Sequence, residues 1–348
     1  LLVLKKLVGV KMTKTSEQKL FLLVIILLLA AFLFSLTVGR YGLGWFNILE
    51  VIKLKITDQS IPDHLTSDDI VFWSVRLPRL LMALFVGSAL AVSGTVFQGL
   101  FRNPLVSPDI LGVSAGASFG AGMAILLVGN SAFAIQISAF GFGLVAVVLA
   151  YQLARHCRTD TITVLVLAGV IVSALFTAGL SFLKYVADPY EELPALVFWT
   201  MGGFSTIAWK DVAMTVPVVL IGILILYLLR WKLDIMALGD EEALSLGVKV
   251  NKMRLIYIAI ATLIVASSVA TCGTIGWVGL VVPHMARLII GPGHNHLLPF
   301  AAILGAVFII LMDTLARTIS GGEIPIGIIT SFIGAPFLGY LLWKQGKD

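Results

Sequence analysis

The chain has 348 residues, 59% of them hydrophobic and only 12% charged, with a mean hydropathy of +1.03. Soluble domains are about 45–50% apolar and about 25% charged, so an ordinary soluble enzyme is excluded, as is a disordered chain of low hydrophobicity and high net charge. The formal charge of +5, from 24 Lys and Arg against 19 Asp and Glu, falls between apolar runs rather than in one block, which predicts membrane topology and no nucleic-acid partner.

A helix crossing the hydrocarbon core needs about 20 apolar residues. Runs of that kind occupy 20–39, 80–101, 110–127, 132–154, 161–183, 212–229, 255–272 and 324–343. Two further spans are expected at 298–317 and, half-length or tilted because of Pro283, His284 and Arg287, at 277–290. The fold class is therefore all-α and polytopic, with about ten transmembrane helices in one domain, 20–343. Segment 1–19 precedes it and tail 344–348 follows. An even count puts both termini on one side. The flanks on that side hold about twice as many Lys and Arg as the other face, which predicts N-in and C-in in the cytoplasmic membrane. The first run is too long for a signal-peptide core, so it is expected to be retained. Met12 reads as a natural start, with 1–11 an upstream extension.

Helix interfaces show in the spacing of small residues. Gly112, Gly116 and Gly120 recur every four positions, as do Gly87 and Ala91 with Gly94 nearby, predicting close backbone approach. Ser107, Pro108 and Asp109 read as the N-cap and first turn of the third span. Cys157 and Cys272 fall near opposite faces and are expected to be free thiols.

The sequence has no phosphate-binding loop, no H-E-x-x-H and no C-x-x-C, and no resident metal or cofactor is expected. Gly112 to Gly116 matches G-x-S-x-G, and His284 is the one intramembrane histidine that could serve Ser114. The nucleophile elbow needs a strand-to-helix turn, however, so a packing role is expected for Ser114. His294-Asn295-His296 reads as a solvated turn. The spans are nearly free of charge apart from Asp313 and Arg317, placed to pair at i, i+4. A proton-coupled secondary transporter or channel, the rival class, would be expected to carry midplane carboxylates. Their absence predicts a transporter energised from outside the membrane.

Between the sixth and seventh spans, on the cytoplasmic side, runs Leu238-Gly239-Asp240-Glu241-Glu242-Ala243-Leu244-Ser245-Leu246-Gly247. Asp240 suits an N-cap, Glu241 and Glu242 the positive helix end, and Gly247 a left-handed C′ position. So short a helix is marginal alone and predicts docking on its own domain or on a partner.

Here the sequence resembles a known family. Arg76-Leu77-Pro78-Arg79, Ser93-Gly94 with Gln98, Arg102-Asn103-Pro104-Leu105, Trp199 to Gly203, the 238–247 segment, Gly273 to His284, Asp313 to Arg317 and Glu323 to Gly327 with Gly334-Ala335-Pro336 are similar to the FecCD/BtuC-type permeases. These are membrane subunits of type II ABC importers for iron-siderophores, haem and cobalamin. Some members carry molybdate or tungstate.

The resemblance implies ten spans, a homodimer with the path between subunits, two cytoplasmic ATPase subunits and an external substrate-binding protein. It also implies no covalent catalysis by this chain. It further assigns Arg76, Arg79 and Arg317 to docking of the binding protein and 238–247 to ATPase coupling. Thr161-Ile162-Thr163, in the loop entering the fifth span, it makes the cytoplasmic gate.

Overall fold

The computed structural model describes residues 14–156 and 161–345. Met12, Cys157 and most of the C-terminal tail lie outside them. The described chain is helical, without strands. Seven helices are long and apolar enough to cross a membrane: Lys14–Thr37 (α1), Leu77–Leu100 (α4), Ala132–Arg155 (α6), Thr161–Val186 (α7), Trp209–Leu238 (α9), Val250–Cys272 (α11) and His294–Thr318 (α13). Shorter apolar helices at Val113–Val128 (α5), Val278–Ile290 (α12) and Ile326–Gln345 (α14) fall on the remaining predicted runs. Between these lie Trp45–Ile56 (α2), Thr66–Ile70 (α3), Glu192–Met201 (α8) and Asp240–Ser245 (α10).

Helix α4 is the spindle of the bundle, packed against α13, α9, α11 and α12. Its glycines explain how so many neighbours fit. A Cβ at Gly87 would lie 2.3 Å from the carbonyl oxygen of Gly305, and one at Gly94 would lie 1.9 Å from that of Gly279. Backbones touch at both points, which only small residues permit. The second stripe works the same way: Gly116 meets the Phe142 carbonyl, and Gly120 meets that of Ser138, whose hydroxyl donates to the Gly120 carbonyl oxygen at 2.6 Å.

The third span departs from expectation. Residues Pro108–Leu111 form a separate 3-10 turn, Gly112 reverses the chain at φ +84°, and α5 begins only at Val113. Ser107 makes no side-chain cap. The reason is tertiary: Pro108 is seated against Gly279, and a Cβ at Gly169 would lie 2.0 Å from the Ile110 carbonyl oxygen. The turn is wedged between helices.

Opposite it, three irregular joints are knitted together. Gly202 ends α8 at φ +69°, Gly273 ends α11 at φ +68°, and α14 starts at Ile326. The Gly203 N–H donates to the Cys272 carbonyl at 2.8 Å, and the Ile326 N–H to that of Gly202 at 3.1 Å. Lipid supplies no hydrogen bonds, so unwound backbone at membrane depth must pair within the protein. At 13 residues α12 spans about 20 Å, too short to cross the hydrocarbon layer by itself.

Candidate functional site

Helix α10 falls within segment 238–247, for which a short helix is expected. Val248 N–H donates to the Ala243 carbonyl and Gly247 N–H to that of Leu244, both at 2.9 Å, with Gly247 at φ +80°. This is a complete Schellman stop, and the left-handed residue is the expected glycine. Ala243 is fully buried against the domain, whereas Leu244 and Leu246 are each 60% exposed.

Asp240 is not the cap. It is the first helical residue, and its carboxylate accepts from the Arg254 guanidinium at 2.7 Å while standing 3.8 Å from Arg102. Arg254 is 4% exposed, and a buried cation demands a counter-charge, which takes Asp240 from the helix end. Glu242 folds back over Gly239 instead, where a Cβ would lie 1.9 Å from its carboxylate oxygen. Arg102 closes a second Schellman stop, at the end of α4: Asn103 N–H donates to the Gln98 carbonyl at 3.1 Å and Arg102 N–H to that of Gly99 at 3.3 Å. Here the left-handed position, φ +52°, is an arginine.

The wedge and the knitted joints line an open cavity of about 690 Å³, walled by Asp109, Ser114, Thr200, Met201, Thr274 and residues of α14 from Gly327 to Pro336. Ser114 donates its hydroxyl hydrogen to Asp109. Sequence reasoning missed this carboxylate, because Asp109 reads as a first-turn acid when the 3-10 wedge is unknown. Ser114 accordingly lines the cavity rather than packing within a helix.

The elbow geometry is absent: both ring nitrogens of His284 lack a hydrogen-bond partner, while the Ser114 hydroxyl is engaged by Asp109. His294 is buried, not solvated; its Nδ1 lies 2.7 Å from Asp234, which also accepts from the His294 backbone N–H at 2.7 Å. No metal-holding cluster of His, Cys, Asp or Glu occurs among the described residues. Cys272 is a buried free thiol.

Thr161, Ile162 and Thr163 form the first turn of α7 rather than a loop.

The three arginines do gather at one end, but they are turned inward. Arg79 donates through Nε and Nη2 to Asp313 at 2.8–3.1 Å and through Nη1 to Glu323 at 2.9 Å. Arg317 pairs with Asp313 at 3.2 Å, as its i, i+4 spacing predicts, and donates to the carbonyls of Val38 and Ser35. Arg76 donates to the carbonyls of Leu36, Val38 and Tyr41. They are 4–6% exposed, so the three guanidiniums are engaged within the subunit. The carbonyls left open at the end of α1 need donors, and Asp313 needs cations. Nearby, Tyr41 donates its hydroxyl to Asp68 at 2.6 Å, which pushes the phenol above its ordinary range.

A bundle of apolar helices packed through backbone contacts, with a short capped helix at one face, is the architecture of a polytopic membrane protein. The chain belongs to the FecCD transport family, which matches residues 27–344, and it is the membrane permease subunit of an ABC importer. It is 40% identical over 335 residues to the molybdate import permease MolB of Haemophilus influenzae, covering 96% of this chain and 98% of that one. It is also 40% identical over 274 residues to the cobalamin import permease BtuC of Halobacterium salinarum, covering 78% and 73%. Among solved structures, a chain described as a metal-chelate type ABC transporter in an inward-facing conformation superposes with a TM-score of 0.83 at 39% identity, covering 94% of this chain and 99% of that one. The fold is that of a type II importer permease.

Proposed function

We propose that the chain carries a metal chelate (an iron-siderophore, haem or cobalamin) into the cell as one half of a homodimer. Two cytoplasmic ATPase subunits power it and an external binding protein delivers its cargo. One observation carries the reading: α10 is stapled to its own domain through Ala243 and the Asp240–Arg254 pair, yet leaves Leu244 and Leu246 in the open. A short helix held rigidly with an apolar ridge exposed suits a partner's groove. Closure of the ATPases pushes this helix, and the subunits exchange inner for outer access.

The binding protein seats on the end that holds Arg76, Arg79 and Arg317; their part in docking is to fix the ends of α1, α4 and α13 beneath it. The first turn of α7, with Thr161, Ile162 and Thr163, is the inner gate. Exposed Leu167, Ile171 and Leu175 on α7 and Phe332 on α14 supply an apolar face for the second copy. Molybdate or tungstate is the second reading, favoured by the identity to MolB.

The test is transport-coupled ATP hydrolysis in the reconstituted complex. Gly247→Val strains a left-handed turn and Leu246→Asp puts charge on the ridge. Both variants should assemble and lose stimulation of ATPase activity and uptake. Unchanged coupling in both would sink the proposal.

A further inference from the structure

The wall of the 690 Å³ cavity has an uneven chemistry. Among the described residues Asp109 is its one titratable side chain, and no Lys, Arg or His contributes to it. The hydroxyls on the wall all spend their hydrogen on the protein. Ser114 donates to Asp109, Thr200 to the Val197 carbonyl at 2.8 Å, Thr274 to the Thr200 carbonyl and Ser331 to the Gly327 carbonyl at 2.7 Å. What these side chains turn toward the lumen is therefore acceptor lone pairs and one carboxylate. An oxyanion is itself acceptor-only and needs donors or cations around it. The side chains of this wall offer it neither, which leaves backbone N–H groups such as those of Gly276 and Gly327 as its donors.

We propose that the cavity selects cargo by charge and hydrogen-bond polarity, favouring neutral or cationic metal chelates that present N–H or O–H groups over bare oxyanions, with Asp109 as the residue that sets the preference. The inference rests on the permease reading and decides between its two substrate classes. Ser114 is then a positioning residue, holding the carboxylate by its hydroxyl. If two copies pair through α7 and α14, the carboxylate is doubled and the preference strengthened.

The preference can be measured without transport. A reporter thiol, Ala335→Cys on the cavity wall, is placed in a Cys157→Ser, Cys272→Ser background of the full complex. Its modification rates by a cationic and an anionic methanethiosulfonate are compared, each normalised to a free thiol. The cationic reagent should react about tenfold faster, the size expected for one unit charge across a partly hydrated cavity. Asp109→Asn should bring the ratio to about one, and Asp109→Glu should keep it. Asp109→Glu also separates loss of charge from loss of fold. Equal rates in the parent, or a ratio unmoved by Asp109→Asn, overturn the assignment. ATP-driven uptake of radiolabelled molybdate by the parent complex overturns it as well. An intact ratio in a complex that neither couples ATP hydrolysis nor moves cargo leaves the cavity preference standing and removes the permease reading instead.

Discussion

Gly334 on α14 faces the β-carbon of Trp277 so closely that a Cβ added to the glycine would lie 2.6 Å from it. Trp277 sits at φ +71°, a conformation costly for a bulky residue, and it forms the joint from which α12 departs. Strain of this kind is held by its surroundings. Gly334→Ala should therefore push α14 off the joint, destabilising the subunit by about 1–3 kcal/mol, the usual cost of overpacking. Thermal unfolding in detergent reads this directly, and an unchanged midpoint would show that the contact has slack.

Arg79 tests the inward-facing cluster. Breaking a buried pair by removing one partner costs about 3–5 kcal/mol, because the other charge is left uncompensated. Arg79→Met leaves Asp313 with Arg317 alone and frees Glu323, and should lower stability by a part of that amount before any partner is added. A purely docking arginine would instead leave the isolated subunit's unfolding midpoint unmoved and weaken only the association with the binding protein.

Arg102 makes the opposite prediction. As a non-glycine in a left-handed turn it carries about 1–2 kcal/mol of backbone strain. Its 3.8 Å contact with Asp240 is exposed on both sides, and such pairs are worth about 0–1 kcal/mol. Strain wins, so Arg102→Gly should raise the unfolding midpoint. A lower midpoint would mean that the arginine holds α10 more firmly than its distance suggests.

The same magnitudes explain what could and could not be read beforehand. Apolar runs located the ten candidate spans because lipid imposes length and hydropathy on each helix separately, and the Asp313–Arg317 pair and the Gly247 turn followed from local spacing. What escaped was set by distant residues. Asp240 was drawn to Arg254, fourteen positions on; Arg79 was drawn to Asp313 and Glu323, and the Pro108–Leu111 wedge depends on Gly169 and Gly279. Helix α8, short and followed directly by the knitted joints, carried no span-length signal of its own.

Gly94 offers a stricter test of the spindle. A methyl group there would stand 1.9 Å from the Gly279 carbonyl oxygen, and a backbone carbonyl cannot swing aside as a side-chain tip can. Gly94→Ala should reduce recovery of folded subunit far more than Gly141→Ala, where nothing lies within 4 Å. Comparable yields for the two variants would show that α4 and α12 are free to separate.

Those glycine contacts also limit how the subunit can move. Where main chain rests on main chain, as at Gly87 on Gly305 and Gly94 on Gly279, a helix cannot slide by a fraction of its pitch without driving a Cβ into a carbonyl. The next arrangement in register lies a full turn away, about 5.4 Å. A push on α10, as the proposed coupling would deliver, thus meets no soft mode to dissipate into along α4. It would reach the far end of the bundle as rotation of a whole body, and in the proposed homodimer the conformational work would fall on the surface between copies.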